Sequence, residues 1–187
     1  IKSLNESGVE IGISGTTKPY VLITCHRRES FGPGLEAICS AIARLARAFP
    51  ANDFIYPVHP NPRVRETVLA FLGAGIANVQ LVQPLEYLPF VHLMSGATLI
   101  LTDSGGIQEE APSLGKRVVV LRDETERTEG LETGLIRLAG TDAEKIIAYS
   151  EDALLGRWKE MGSGCDIYGD GQASQRILDA IAVHALP

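Results

Sequence analysis

The densest concentration of potential chemistry in this sequence is Thr102-Asp103-Ser104-Gly105-Gly106-Ile107-Gln108-Glu109-Glu110. A serine followed by two glycines leaves main-chain N–H groups with almost no side-chain cover. The apolar run Ala97-Thr98-Leu99-Ile100-Leu101 leads in and reads as a buried strand; Glu109-Glu110-Ala111 lead out into a helix. A strand, a tight turn and a helix N-terminus in succession bind anions, because the first helical amides lack partners and the helix dipole is positive there. The stretch is therefore a candidate phosphate seat. A plainer reading stands beside it: Ser104 as an N-cap, Gly105-Gly106 as a turn, Glu109 and Glu110 as acids favoured by the dipole. Glu110 lies six residues beyond Ser104, about 9 Å along a helix axis. That reach suits a carboxylate accepting hydrogen bonds from ribose hydroxyls.

Three other polar clusters each follow a short apolar run: His26-Arg27-Arg28-Glu29-Ser30, His59-Pro60-Asn61-Pro62, and Arg122-Asp123-Glu124-Thr125-Glu126-Arg127. Histidines and arginines beside the glycine seat make a cationic, hydrogen-bonding pocket suited to a diphosphate. His26, directly after an apolar strand and before two arginines, reads as part of that anion site. His59 reads equally as a loop residue held between prolines. His92 and His184 sit on helical stretches and read as surface or packing residues. A metal site from His26, His59 and Asp103 lacks any diagnostic ligand spacing, so neither a metal nor a cofactor is expected. Gly-x-Gly-x-x-Gly is absent at the first strand, which argues against a dinucleotide-binding domain.

The elements that must position these clusters alternate. Strands are expected at 20–25, 54–58, 79–82, 97–101, 117–121 and 135–138. Helices are expected at 35–49, where Leu35, Ile38, Ile42, Leu45 and Phe49 recur at helical spacing, and near 64–72. A third spans 87–95, with Leu88, Val91 and Met94 inward. A fourth ends near Leu114 with Gly115 as its stop, and a short one begins at about Thr125. The tail is read as helical at 143–155, 156–161 and 172–184. This alternation predicts an α/β fold: a parallel sheet with helices on both faces. Ligands of such sheets bind at the C-terminal strand ends, where the four polar loops would gather. Residues 1–19 read as a linker or the tail of a missing N-terminal domain, and 20–187 as one domain. The 45% hydrophobic content supplies a core, and the net charge of −6 argues against a nucleic-acid partner. No apolar stretch approaches the roughly 20 residues a membrane span needs. Three widely spaced cysteines predict reduced thiols and a cytoplasmic protein.

Several motifs occur in a fixed order: His26-Arg27-Arg28-Glu29, Tyr56-Pro57-Val58-His59-Pro60-Asn61-Pro62, Glu86-Tyr87-Leu88-Pro89-Phe90, Thr102 through Pro112, Arg122-Asp123 with Thr125-Glu126-Arg127, and Tyr168-Gly169-Asp170-Gly171. Together they closely resemble the non-hydrolysing UDP-N-acetylglucosamine 2-epimerases, over residues 20 to 183. The resemblance implies a Rossmann-like half of a glycosyltransferase-B-like fold, here the C-terminal UDP-binding domain. It implies a homodimeric full-length enzyme that interconverts UDP-GlcNAc and UDP-ManNAc by C2 deprotonation and UDP elimination and re-addition. By match, Ser104 and the amides of Gly105 and Gly106 would hold the diphosphate. Glu110 would bind the ribose, Phe90 would contact uracil, and Arg127 and His26 would complete the phosphate side. His26 would act on the leaving group, with the acid/base carboxylates in the missing domain, so this chain alone would bind UDP without turnover. In some family members an arginine and a histidine matching Arg27 and His59 contact a second, activating UDP-GlcNAc. Cys25, Thr128 and Asp166-Ile167 depart from the usual glycine, proline and Asn-Pro. Two alternatives remain at this point: a UDP-sugar glycosyltransferase of the same architecture, and a non-catalytic UDP-sugar-binding module. Residues 172–184 are expected to expose an apolar face through Ile177, Leu178 and Ile181.

Overall fold

Runs such as Val21-Leu22-Ile23 and Leu99-Ile100-Leu101 have no polar break, so a strand built from them must be covered on both faces. The computed structural model, which describes residues 17–73, 75–159 and 167–185, shows that arrangement. Six strands, β1 (Tyr20–Thr24), β2 (Asp53–Pro57), β3 (Val79–Val82), β4 (Leu99–Thr102), β5 (Val118–Val120) and β6 (Ile136–Leu138), form one sheet. Every pairing is parallel. Successive residues of β1 feed opposite cores: Val21 and Ile23 one, Leu22 the other. On the first face lie α1 (Pro33–Ala48), α2 (Pro62–Leu72) and α6 (Ala143–Leu154), through residues such as Ile38, Ile42, Val68 and Ile146. On the second lie α3 (Tyr87–Gly96), α4 (Gly105–Ser113) and the short α5 (Thr128–Glu132), through Leu93, Met94, Ile107, Ala111 and Leu131.

The strand order is β3-β2-β1-β4-β5-β6. Chain progression reverses between β1 and β4, and the loops leaving those two strands diverge there to open a crevice. The loops carrying His26 and Ser104 therefore flank the topological switch point. The helices that follow have local causes. At α1, Gly32 takes φ +77° and Pro33 stands at the first helical position. At α2, the Asn61 side chain accepts from the Arg63 amide at 3.0 Å, with Pro62 first in the helix. Part of the His59-Pro60-Asn61-Pro62 motif is thus a helix start.

Some expectations are corrected. Met94 and Val91 face the sheet as expected, but Leu88 is 55% exposed, and Leu93 takes the inward place beside Met94. That helix is apolar around most of its circumference, so spacing alone does not select the buried face. The short helix begins at Thr128 and not at Thr125, because the Thr125 hydroxyl accepts from the Arg127 amide at 3.2 Å and holds a turn there. No helix forms over 156–159: Gly156 takes φ +68°, and the amides of Arg157 and Trp158 turn back to the Asp152 carbonyl. The remainder of that expected helix, Cys165, and residues 1–16 of the expected linker lie outside the described residues, as does the side chain of His184. The last helix, α7 (Ala173–Ala185), leaves Ile177, Leu178 and Ile181 more than half exposed, as expected. No helix among the described residues is long and apolar enough to cross a membrane.

Candidate functional site

The end of β4 builds the seat. Thr102 is the last residue of the strand, and its hydroxyl lies 2.7 Å from that of Thr24 at the end of β1. The same Thr102 oxygen accepts from the Ser104 amide at 3.0 Å, which turns the chain into α4. Ser104 occupies the N-cap position, yet its hydroxyl caps nothing in its own helix. The first intrahelical bond runs from the Gln108 amide to the Ser104 carbonyl. The amides of Gly105, Gly106 and Ile107 thus precede the helical ladder and point out of its N-terminus.

Two charged side chains reach this turn. A Cβ placed on Gly105 would lie 3.3 Å from Cζ of Arg127, so the guanidinium rests directly on the glycine. Arg127 is held there by a 2.8 Å bond from Nε to Glu109. A relay fixes its main chain: the Gln108 amide group donates to the Ser104 carbonyl, the Thr125 hydroxyl donates to Gln108 Oε1 at 2.5 Å, and the Arg127 amide donates to Thr125. Glu110 folds back along α4, as helical side chains tilt toward the N-terminus. Its Oε1 is 3.9 Å from a Cβ position on Gly106, and Oε2 accepts from the Tyr87 hydroxyl at 3.3 Å. The carboxylate is therefore closer to the seat than the axial rise between Ser104 and Glu110 suggests.

The His26 loop is tied to the seat by Asp103, the residue missed in reading the sequence for positioning roles. Asp103 is fully buried, and its Oδ2 accepts from the amides of both His26 and Arg27 at 2.7 Å. Its other oxygen, Oδ1, has no hydrogen-bond partner and lies 3.7 Å from His26 Nδ1. The available signal was its place between a buried strand and the seat. Burial, then the charge of Asp103, push the adjacent Cys25 thiol well above its usual value. His26 stacks on His59, with ring centroids 5.2 Å apart and planes within 11°. Arg27 enters the arrangement through its backbone amide. Arg122, nearly buried, clamps the loops after β1 and β5: it donates to Glu29 at 2.7 Å and to Glu126 at 3.1 Å. The Arg122 hydrogen bond is the main reason that Glu126 is held down to about 2.

Two cavities adjoin the seat. One, of about 200 Å³, is bordered by His26, His59, Phe90 and Ile107. The other, of about 540 Å³, is bordered by Tyr87, Glu110 and Tyr168. The structure brings His26, His59 and Phe90 together, and separately brings Arg127 and Glu110 to the first turn of α4. Phe90 and Glu110 border different cavities. No group of three or more histidine, cysteine, aspartate or glutamate residues among the described residues could hold a metal ion.

Sheet order, crevice and seat define a class: a doubly wound, Rossmann-like α/β domain with a helix N-terminus at its switch point. Residues 2–182 match the family described as UDP-N-acetylglucosamine 2-epimerase. The UDP-N-acetylglucosamine 2-epimerase of Yersinia pestis is 52% identical over 171 residues, covering 90% of this chain and 45% of that protein. The crystal structure of UDP-GlcNAc 2-epimerase from Neisseria meningitidis bound to UDP-GlcNAc matches with a TM-score of 0.82 at 39% identity, over 97% of this chain and 48% of that one. An Escherichia coli heptosyltransferase shares the fold alone, with a TM-score of 0.53 at 15% identity, over 76% of this chain and 44% of that one. The chain belongs to the UDP-N-acetylglucosamine 2-epimerase family, and its fold is the Rossmann-like half of a glycosyltransferase-B-like architecture. It spans about half the length of the curated relatives it matches.

Proposed function

We propose that this chain is the UDP-binding half of an epimerase that interconverts UDP-GlcNAc and UDP-ManNAc. The observation that carries the reading is the first turn of α4: unpaired amides of Gly105, Gly106 and Ile107, with the Arg127 guanidinium resting on Gly105. A diphosphate there would accept from the amides and from Ser104, with Arg127 opposing its charge. Glu110 would accept from the ribose hydroxyls in place of Tyr87, its present donor. Phe90 offers an apolar wall for the uracil. His26, anchored through its own amide, would face the leaving phosphate. A second nucleotide sugar bound through Arg27 and His59 would lie next to the substrate-side imidazole, on which His59 stacks.

The reaction removes the C2 proton and expels UDP, giving 2-acetamidoglucal; UDP then re-adds with C2 inverted. This half lowers the barrier by stabilising negative charge on departing UDP, which preorganised donors do best. The C2 acid/base carboxylates belong to the other half of the family fold. Titration calorimetry with UDP tests the reading. The chain binds UDP, and Ser104→Ala lowers the affinity by about 3- to 10-fold, the loss of one hydroxyl hydrogen bond. Absence of UDP binding, or an unchanged affinity in Ser104→Ala, contradicts it. Solvent deuterium at C2 of UDP-GlcNAc, produced by a family-length protein carrying this half, separates epimerisation from glycosyl transfer and from binding alone.

A further inference from the structure

We propose that Asp103 is the positioning residue of the leaving-group histidine: its unpaired Oδ1 receives the His26 Nδ1 proton, fixing the imidazole with Nε2 toward the departing phosphate. The inference rests on the function proposed above, but its geometry stands independently. Asp103 has no exposed surface, so an unpaired carboxylate oxygen there costs free energy unless something completes it. Two groups stand beside that carboxylate: the Cys25 thiol, a weak donor, and His26 Nδ1, which lies 3.7 Å from Oδ1. Closing to hydrogen-bond distance needs less than about 1 Å of movement, of the kind catalytic pairs make when substrate binds.

The two carboxylate oxygens have separate duties. Oδ2 holds the amides of His26 and Arg27 and thereby the loop. Oδ1 is left for the ring. His59 stacks on the imidazole, so the ring keeps its plane as it turns toward Oδ1. In the forward step the C2 proton goes to a base of the other half, and the C1–O bond breaks with its electron pair passing to the diphosphate. The His26 imidazolium then gives its Nε2 proton to a phosphate oxygen. It is left neutral, with the Nδ1 proton still on the ring and donated in a hydrogen bond to Asp103, and re-addition reverses the transfer. Asp103 remains a carboxylate throughout and acts only through the ring.

Asp103→Asn separates the two duties. The amide oxygen must face the two main-chain donors, so its NH2 group faces Nδ1 and makes that nitrogen an acceptor. The loop is kept and the tautomer is reversed. The first test needs no variant: imidazole 15N NMR of the chain above the ring's titration. The account expects His26 in the Nδ1–H tautomer in the wild type and the Nε2–H tautomer in Asp103→Asn. A wild-type Nε2–H tautomer overturns it. In a family-length epimerase carrying these residues, Asp103→Asn lowers kcat by about 10²- to 10⁴-fold, the scale of general acid–base catalysis, with KM within about threefold. His26→Gln with Asp103→Asn loses no more than His26→Gln alone. Losses that multiply, or an unchanged kcat, overturn the inference. Failure of the wild-type chain to bind UDP refutes the functional reading and leaves the tautomer result to judge Asp103 alone.

Discussion

Gly105→Ala tests whether the contact between Arg127 and the first turn of α4 is used by a phosphate. The added methyl would stand 3.3 Å from Arg127 Cζ, 3.5 Å from Nη2 and 3.6 Å from Nε, so the guanidinium must shift by a few tenths of an ångström. That side chain is about one-third exposed and can move outward, but its 2.8 Å bond to Glu109 resists. Alanine is a better helix former than glycine by at most about 1 kcal/mol, which offsets the crowding. We predict a melting temperature within about 4 °C of wild type, since 1 kcal/mol is worth roughly 2–4 °C at this size. Binding responds differently. Displacing Arg127 weakens a hydrogen bond between charged groups, worth about 1.5–3 kcal/mol, or roughly 10- to 150-fold in Kd. Calorimetry with UDP and with uridine is the assay. UDP affinity falls by that factor, while uridine, which lacks phosphate, is unaffected. An unchanged UDP affinity, or an equal loss for both ligands, would refute the reasoning.

Other consequences can be measured on the same chain. Glu110→Gln weakens UDP binding by about 10-fold, the loss of a charged acceptor for the ribose, and leaves inorganic pyrophosphate binding within about twofold, as competition calorimetry will show. Arg122→Gln partly releases Glu126, whose carboxyl then titrates above about 2, toward the usual 4.5 but short of it because a backbone hydrogen bond and Arg127 still hold it down, as 13C NMR will show. Because the folded value is depressed, its contribution to stability is complete above about 4.5 and is lost as the pH falls toward about 2. Tyr56→Phe removes the 2.8 Å bond from a fully buried hydroxyl to the Cys25 carbonyl beside the His26 loop; urea unfolding should show a loss of about 1–2 kcal/mol.

Much of the fold was legible because its strands are continuous apolar runs and its helices have definite starts and stops. Leu35 through Leu45 mark one face of α1, and Gly115, at φ +66°, ends α4 where expected. The errors fell where pattern carries no orientation. In α3, apolar residues surround the helix, and only the packing of Leu93 and Met94 on the sheet shows that Leu88 faces outward. Over 156–159, glycine and a back-turn to Asp152 outweigh helical composition. The seat was legible because its glycines and serine are contiguous. The pairing of Arg127 with Gly105 was not, since 21 intervening residues must first fold β5 and its loop against α4. Asp103 was visible as a residue but not as a brace, because its partners, the amides of His26 and Arg27, are main-chain groups more than seventy positions away. Side-chain direction also mattered: Glu110 reaches back to Gly106, which its position along the helix axis conceals.

The most direct test of the account is a 15N-amide NMR titration of the chain with UDP. The account predicts that the amides of Gly105, Gly106 and Ile107 shift together with the Arg127 side-chain Nε–H, and that pyrophosphate reproduces the backbone shifts. Saturation with UDP that leaves these amides unmoved would contradict the claim that the first turn of α4 is the diphosphate seat.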